Sequence, residues 1–376
     1  MNRCLFHFQI KALSSLARLR LLDVLSVRLH RLNPLRLDFI FDLKLVLLLF
    51  FSLLCSVRVA AAADMEITPF SSFNQSPLNQ IYGLPRETAA DIVPPGALRI
   101  SMNQDLSSNY SVSSTTSEQI TIDGETYRLA FAARYGIAPR WEAGVEIPYI
   151  FQGGGFLDSF VVDWHNTFGL PQGGRNSAPN GRLLYRYRKD GVQKLLLDRS
   201  GSGIGDVSLT GGFSLFDVRG TGSHDRLALK GAVKLPTGDS AFLRGSGGID
   251  AMLQLCGGMI RYSEWGSLGV FGSIGGLAMS GSDVLRDQHN PLAGVGTFGF
   301  GWGPISWISF KVQLNGTTPL YRDSSLDELT KSQLLLISGG TVRFPGDYLL
   351  DIGVAEDVAV DTAPDVSFHL GLSKRF

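Results

Sequence analysis

Residues 127–135 read YRLAFAARY and show most clearly the pattern from which we predict the fold of the chain. Every second side chain is apolar or aromatic, while Arg128 and Arg134 lie on the opposite side. A period of two is typical of a β-strand with one apolar and one polar face, because successive side chains of a strand point in opposite directions. The same period recurs in residues 226–235, 308–315 and 366–376.

Twelve segments with this character are predicted as long strands. Their bounds are near 97–103, 125–135, 141–150, 205–217, 225–235, 248–262, 265–279, 292–302, 305–316, 332–344, 347–356 and 366–376. The gaps between them alternate between short turns and long loops, as in bacterial outer-membrane barrels, whereas a soluble sandwich has no reason to sort its loops in this way. Aromatic residues also mark many of the strand ends, as an interfacial girdle requires. We therefore predict an all-β fold, an antiparallel transmembrane β-barrel of about twelve strands in the bacterial outer membrane.

The strand count has one alternative. Residues 183–188 and 192–198 flank Lys189-Asp190-Gly191, and Asp-Gly between two strand-like runs is a hairpin signal. The hairpin either projects above the membrane or adds two strands to the barrel, which would then have fourteen.

The composition divides the chain into two parts. The whole chain has 34 basic and 34 acidic residues, but residues 1–63 hold nine basic and three acidic ones and no glycine. The remaining 313 residues hold 25 basic residues, 31 acidic residues and all 44 glycines. No domain is basic enough to favour a nucleic-acid partner. Cys256 is the one cysteine after residue 63, which excludes an intramolecular disulfide framework there.

The first part resembles a secretory signal. Residues 45–54, LVLLLFFSLL, follow Lys44 and precede four alanines at 60–63, and ten apolar residues are too few to cross a bilayer. We expect cleavage after Ala63. Residues 1–35 are long for a signal, and a start codon assigned too far upstream explains them better than a functional basic helix.

Residues 64–96 are predicted as an N-terminal leader or plug that precedes the barrel of residues 97–376. Five prolines exclude a membrane strand from this segment. Residues 81–85, IYGLP, are apolar enough to favour docking inside the barrel or at its rim over a flexible leader.

The polar faces of the predicted strands carry charges of both signs. The predicted lumen residues are Arg128, Arg134, Glu142, Glu146, Asp206, Lys230, Lys234, Asp250, Lys311, Asp351 and Arg375, together with His369. Two interpretations stay open: a neutralising network that fills a narrow barrel, because buried charges need partners, and a polar conduit for small solutes.

The longest loop, residues 151–204, is predicted to be partly helical and extracellular. Its aromatic stretch, a candidate cap of the pore mouth, comprises Phe156, Phe160, Trp164, His165 and Phe168. Long loops of this kind are usually functional or disordered, and this one is too apolar for disorder. The alternative is an amphipathic helix that packs on the rim of the barrel.

Two further partners are expected. Basic side chains that interleave with tyrosines form a candidate patch for lipopolysaccharide phosphates, namely Arg182, Arg186, Arg188 and Lys189. A solvated hairpin is the alternative explanation of this patch. The chain ends on Phe376 after alternating apolar residues, which resembles the signal read by the outer-membrane assembly machinery.

Enzymatic motifs are scarce. The histidines after residue 63 are scattered, and the glycine-rich strings lack the strand–loop–helix context of a phosphate cradle. We expect no catalytic residue, no metal site and no cofactor. An outer-membrane lipid-modifying enzyme is a remote alternative.

Several strings resemble a known family. They are NQSPL (74–78), IYGLP (81–85), DGETYRL (123–129), GGFLD (154–158), WH (164–165), FGLP (168–171) and KLPTGDS (234–240). These strings are similar to Gram-negative secreted proteins grouped as domain of unknown function 3187, over about residues 69–376. Residues 205–207 and 234–239 are also similar to outer-membrane channels linked to phenol degradation. The resemblance implies a barrel and supplies neither a substrate nor a catalytic residue.

The favoured function is passive or facilitated passage of a small solute whose identity the sequence leaves open. The alternative is a non-conducting structural barrel that meets its partners through its long loops and outer-membrane lipid.

Overall fold

The computed structural model describes residues 65–168, 174–175, 178–358 and 362–376. The predicted signal and its cleavage site lie outside the described residues. The strands are β1 Leu98–Ser114, β2 Glu118–Ala138, β3 Trp141–Gly153, β4 Leu184–Lys189, β5 Val192–Leu197, β6 Gly201–Ile204, β7 Ser208–Arg219, β8 Ser223–Lys234, β9 Asp250–Ser263, β10 Gly266–Met279, β11 Leu292–Ile305, β12 Ile308–Thr317, β13 Gln333–Phe344, β14 Tyr348–Asp357 and β15 Val366–Arg375. The α-helices are α1 Asp158–Phe168 and α2 Asp327–Thr330.

Twelve of these strands close into an antiparallel barrel. Each strand from β7 to β15 pairs with the next one along the chain, β1 pairs with β2, and β2 with β3. Two further pairings complete the ring: β3 with β7, and β15 with β1, where Arg375 lies opposite Arg99. The closed ring satisfies the backbone of every strand, as a bilayer requires.

The predicted hairpin, β4 and β5, does not enter the ring. β4 pairs with the Glu118 end of β2, beyond the point where Gly153 ends β3. β6 pairs with the end of β3 and leads into β7. The prediction of about twelve strands is therefore confirmed, and the alternative of fourteen is excluded.

Short and long connections lie on opposite rims, as predicted, except for the short 115–117 turn between β1 and β2 on the long-loop rim. The short turns cover 139–140, 220–222, 264–265, 306–307 and 345–347, and both ends of the barrel chain lie on this short-turn rim. The long connections cover 154–207, 235–249, 280–291, 318–332 and 358–365 on the long-loop rim.

One predicted loop is wrong. Residues 104–124 were expected to connect the first two strands, but β1 and β2 continue to residues 114 and 118 and form a tall hairpin. Both faces of residues 107–114, SSNYSVSS, are polar or small, so the alternation that identifies the other strands is absent there.

The barrel is polar inside and apolar outside. Lys311 points inward with 2% of its surface exposed, whereas Phe298 points outward with 59% exposed. Other exposed apolar side chains of the outer face include Met102, Phe131, Ile147, Leu253, Val270, Phe300, Ile352 and Leu370. A surface of this kind is stable only in apolar surroundings. None of the described helices is long and apolar enough to cross a membrane.

Candidate functional site

Residues 65–96, called the inserted segment below, run along the inner wall of the barrel as two arms joined by a turn. The first arm starts at the short-turn rim, where a Cβ on Gly269 would lie 2.5 Å from Cβ of Ile67, so this position requires glycine. Further along, the Phe70 N–H donates to Oε1 of Gln313 (2.7 Å), and Nε2 of Gln313 donates to the Phe70 carbonyl (3.3 Å). A wall side chain thus takes the place of a neighbouring strand.

The turn of the inserted segment lies near the long-loop rim. Oδ1 of Asn74 accepts from the Ser76 N–H (2.9 Å), which starts the turn. Nδ2 of Asn74 donates to Oε1 of Gln333 (2.9 Å) and to the Thr362 carbonyl (2.8 Å). These bonds give the string at residues 74–78 a structural role, which is to fix the turn against the loops.

An apolar core covers the lumen at this rim. Its members from the inserted segment are Phe73, Leu78, Ile81, Tyr82 and Leu84, and they pack with loop and hairpin residues that include Tyr185, Tyr187, Leu285, Leu320, Tyr321 and Leu326. The Tyr321 hydroxyl donates to the Leu78 carbonyl (2.7 Å), and burial raises the pKa of Tyr321, so the donor stays protonated. Burial likewise raises the pKa of Tyr82 to about 12. The long-loop rim is therefore closed in this conformation.

The second arm returns toward the short-turn rim. Asp250 accepts from the Gly83 N–H (2.8 Å), and Glu142 accepts from the Val93 N–H (2.8 Å). These two bonds join both ends of the arm to the wall.

A buried cluster around Lys234 lies below the apolar core. The ammonium donates to Asp206, to Oγ of Ser246 (2.7 Å) and to the Gly248 carbonyl (3.0 Å). Oδ2 of Asp250 lies 3.3 Å away. Lys234 therefore connects the wall, the 235–249 loop and, through Asp250, the inserted segment.

Asp206 also accepts from backbone N–H groups of that loop, those of Gly238 (2.8 Å) and Ser246 (3.1 Å). The Thr237 hydroxyl donates to the Gly205 carbonyl (2.8 Å). The strings at 205–207 and 234–240 thus fold the loop inward.

Arg128 forms a second cluster in the lumen. It donates to Glu146, which also accepts from Arg86 of the inserted segment. Nη1 of Arg128 lies 3.9 Å from Oδ2 of Asp105, and Nδ1 of His369 lies 2.7 Å from Oδ1 of the same carboxylate.

The Asp105–His369 pair lacks a nucleophile in the part of the chain that the structure describes. The Ser72 hydroxyl donates to the Asp105 carboxylate (3.1 Å) and not to the imidazole, whose buried Nε2 has no hydrogen-bond partner. A hydrolytic triad requires the hydroxyl at the imidazole.

Arg134 forms a third cluster, close to the short-turn rim. Its guanidinium lies 2.9 Å from Oε1 of Glu142, 3.5 Å from Oε2 of Glu87 and 3.6 Å from Oδ2 of Asp91. Lys230 lies 3.3 Å from the same Glu142 oxygen. Glu87 and Asp91 belong to the inserted segment, so this cluster is shared between wall and segment.

Asp351 and Arg375 line a vestibule at the short-turn rim. Lys311 donates to Asp351 (2.7 Å), and its ammonium lies 3.9 Å from the ring centroid of Phe70. Arg375 points into the vestibule and has no carboxylate within ion-pair distance among the described residues. The vestibule has a volume of about 540 Å³.

The structure thus divides ten of the eleven predicted lumen residues among four clusters and leaves Arg375 by itself. Alternation missed Asp105 because the first predicted strand ended at residue 103, and it left Arg99, which lies within that strand, unassigned to the lumen. It also missed Glu66, Glu87 and Asp91, which lie on irregular chain that has no period. The transport role of all these residues stays a prediction.

The aromatic stretch of the long loop lies in and before α1, on the outer wall. Val161 packs with outward-facing side chains of β1, β14 and β15, and the ring of Phe160 lies 5.6 Å from that of Phe368. Phe156 is exposed beside Tyr127. The side chains of Trp164, His165 and Phe168 lie outside what the structure describes. This position favours the rim-packed helix over the pore cap.

The candidate lipopolysaccharide patch is partly engaged within the protein. Nε of Arg182 donates to Asp123 (2.6 Å), and Lys189 lies 3.3 Å from Glu118. Arg186 is half-buried, and Arg188 is exposed and donates weakly to its own turn. The contacts favour the hairpin alternative, and binding of lipopolysaccharide stays a prediction.

Phe376 ends the closing strand at the short-turn rim. Its N–H donates to the Leu98 carbonyl (2.7 Å), and the Leu98 N–H donates back to the Phe376 carbonyl (3.1 Å). The ring is 63% exposed on the outer side. It is accessible to an assembly factor, whose recognition of it stays a prediction.

This chain is similar to several solved structures. The COG4313 outer membrane channel from Pseudomonas putida F1 is similar with a TM-score of 0.50 and 14% identity, over 76% of this chain and 98% of that one. The translocator domain of the autotransporter NalP from Neisseria meningitidis has a TM-score of 0.37 and 11% identity, over 76% of this chain and 91% of that one. The Pseudomonas putida toluene transporter TodX has a TM-score of 0.32 and 10% identity, over 85% of this chain and 99% of that one.

The closed ring, its apolar exterior and the likeness to an outer membrane channel make this protein a β-barrel of the bacterial outer membrane. By the rule for such barrels, the short-turn rim is periplasmic and the long-loop rim extracellular. The search of curated proteins gives no match. A protein family described as "Protein of unknown function (DUF3187)" matches residues 45–376, and the chain therefore belongs to this family.

Proposed function

We propose that this channel-like barrel conducts small polar solutes across the outer membrane when the inserted segment moves out of the lumen. The main support for this proposal is the way in which the lumen is filled. The charged wall residues pair with irregular chain that enters from one end, and not only with each other. Irregular chain held by side-chain contacts can detach without breaking the backbone pairing of the wall, whereas a strand of the ring cannot.

The polarity of the wall supports the proposal. Inward positions of β1, β8, β9 and β12 carry Asp105, Lys230, Gln254 and Lys311, all buried. A barrel of twelve strands lies between filled eight-stranded barrels and open sixteen-stranded porins. Without the inserted segment, such a lumen would be lined by charges and filled by water.

A tether across the lumen tests the proposal. A Cβ on Gly83 would lie 3.1 Å from Cβ of Asp250, so a small outward shift of the arm brings the pair to the separation of about 3.5–4.5 Å that a disulfide needs. The Gly83→Cys/Asp250→Cys variant, made with Cys256→Ala to remove the native thiol, should conduct in planar bilayers after reduction and stay closed after oxidation. The oxidised and reduced forms differ only in the tether, so each serves as the control of the other. Equal conductance in both states, or none in either, contradicts the proposal.

A non-conducting structural barrel is the second candidate. The apolar core at the extracellular rim favours it, because an open state must break that core. Reduced protein without conductance, while the fold is intact by gel mobility, would select this candidate.

A further inference from the structure

We propose that the pore selects small carboxylate anions, and that three carboxylates of the inserted segment occupy the positions of this ligand in the closed state. The inference rests on the proposed function and adds the class of solute. It is carried by the pairing of charges between the segment and the periplasmic half of the wall.

Glu66 is the first of these carboxylates. Its Oε2 accepts from Arg226 (2.9 Å), and its Oε1 accepts from Arg219 and lies 3.0 Å from Nδ1 of His224. Arg226 is 8% exposed. A carboxylate that meets two guanidinium groups and an imidazole occupies a built anion site.

Glu87 and Asp91 are the second and third. Asp91 accepts from Nη1 of Arg99 (2.6 Å) and lies 3.6 Å from Nη2 of Arg134. Glu87 lies 3.5 Å from Arg134 and 3.9 Å from the Lys230 ammonium. Two carboxylates four residues apart thus converge on one guanidinium.

The wall does not by itself neutralise the cationic side chains that contact Glu66, Glu87 and Asp91. Within the described ranges, the wall carboxylates at ion-pair distance from them are Glu142, which serves both Arg134 and Lys230, and Asp217, whose Oδ1 lies 2.7 Å from Nε2 of His224. The ion pairs of Arg99, Arg219 and Arg226 with carboxylates all go to the inserted segment. When the segment leaves, cations outnumber carboxylates here, and the pore needs anions from solution.

The register of the strands concentrates this charge. Arg99 lies directly opposite Arg134 on β2 and directly opposite Arg375 on β15, so three arginines form a row across adjacent strands. Directly opposed like charges destabilise a sheet unless an anion lies between them. Asp91 reaches only the first two of them, and Arg375 faces the open vestibule.

Lys230 provides an independent observation. Its ammonium is buried and makes no hydrogen bond within the described structure, although two carboxylates lie within 4 Å. The Lys230 ammonium is therefore positioned to bind an acceptor oxygen that approaches it more closely than Glu87 does.

The test uses the full chain with Glu66→Gln, Glu87→Gln and Asp91→Asn, which remove the three carboxylates and keep their size. In planar bilayers under a KCl gradient, the reversal potential should show preference for chloride. Succinate added on the periplasmic side should reduce the current, whereas neutral succinamide and cationic 1,4-diaminobutane should not.

Two further variants in that background localise the effect. Arg134→Gln should weaken the succinate block about tenfold, the loss expected for one charged contact. Arg261→Gln is the matched control, because Arg261 pairs with Asp225 on the outer face, and it should leave the block unchanged.

Preference for potassium, an equal block by 1,4-diaminobutane, or a stronger block by inorganic phosphate than by succinate would overturn the assignment. If no variant conducts, the proposed function fails, and calorimetric titration with succinate then decides the inference alone. Binding that Arg134→Gln weakens would support it, and absence of binding would overturn it.

Discussion

A buried charge in a barrel lumen is tolerated because it is paired, and the loss of one partner leaves the other exposed to the full cost of burial. Lys234 shows this most clearly, since it is 3% exposed and serves two carboxylates, a hydroxyl and a carbonyl.

We predict that Lys234→Met lowers the free energy of unfolding by about 3–5 kcal/mol, because Asp206 and Asp250 remain buried without their cation. Urea titration in detergent, followed by gel mobility, measures this. Lys194→Met is the matched control, because Lys194 pairs with Asp287 at the exposed surface, where a pair contributes at most about 1 kcal/mol. Equal losses in both variants would contradict the buried cluster.

For single residues, the alternation of the sequence predicted which charged side chains face inward but not which groups they contact. Lys234 and Asp250 are placed by the period of their strands, and that period is local. Gly83 reaches Asp250 from 167 positions away along irregular chain, and no local pattern encodes such a contact.

Among the elements, β15 has a double role, because it closes the ring against β1 and carries the candidate assembly signal. We predict that Phe376→Ala reduces the amount of folded protein in the outer membrane. The heat-modifiable fraction of isolated outer membranes measures the change.

Phe344→Ala is the control for that experiment. Phe344 ends β13 and is also an outward aromatic at the periplasmic rim, 45% exposed against 63% for Phe376. A similar reduction in both variants would mean that the aromatic girdle is affected and not the signal.

The position of helix α1 against the outer wall can be tested by a substitution. Val161 is fully buried against the outer wall, so Val161→Asp should detach the helix, because a carboxylate cannot stay in that apolar contact. Trypsin added to intact cells should then cleave after Arg175 or Arg182, while the barrel keeps its gel mobility. Asp163→Ala, on the exposed side of α1, should leave cleavage unchanged. Resistance of Val161→Asp would contradict the packed position.

The strands were predicted well where one face is apolar and the other is polar. The segments behind β3, β8, β9 and β12 alternate clearly, and their bounds hold to within a few residues. The hairpin of β1 and β2 was missed at its top because serines occupy both faces of β1 there. The path of the inserted segment could not be predicted, since chain without a period satisfies its backbone only through partners that the fold supplies.

The barrel is polar inside and apolar outside, the reverse of a soluble protein. The apolar exterior determines the surroundings of the barrel, and the sorting of its connections determines its direction in the membrane. An apolar exterior requires lipid around the ring. The sorting of connections then assigns the long-loop rim to the outside of the cell, because short turns lie on the periplasmic side in barrels of this class.

Two exposed turn residues test this direction. Thr116 lies at the tip of the β1–β2 hairpin on the long-loop rim, and Glu264 lies in the β9–β10 turn on the other rim. With Cys256→Ala as background, Thr116→Cys should react with a membrane-impermeant maleimide on intact cells. Glu264→Cys should react only after the outer membrane is permeabilised, because intact lipid separates the reagent from the periplasmic rim. The opposite pattern would invert the barrel, and would assign the vestibule with Arg375 and the entry of the inserted segment to the cell surface.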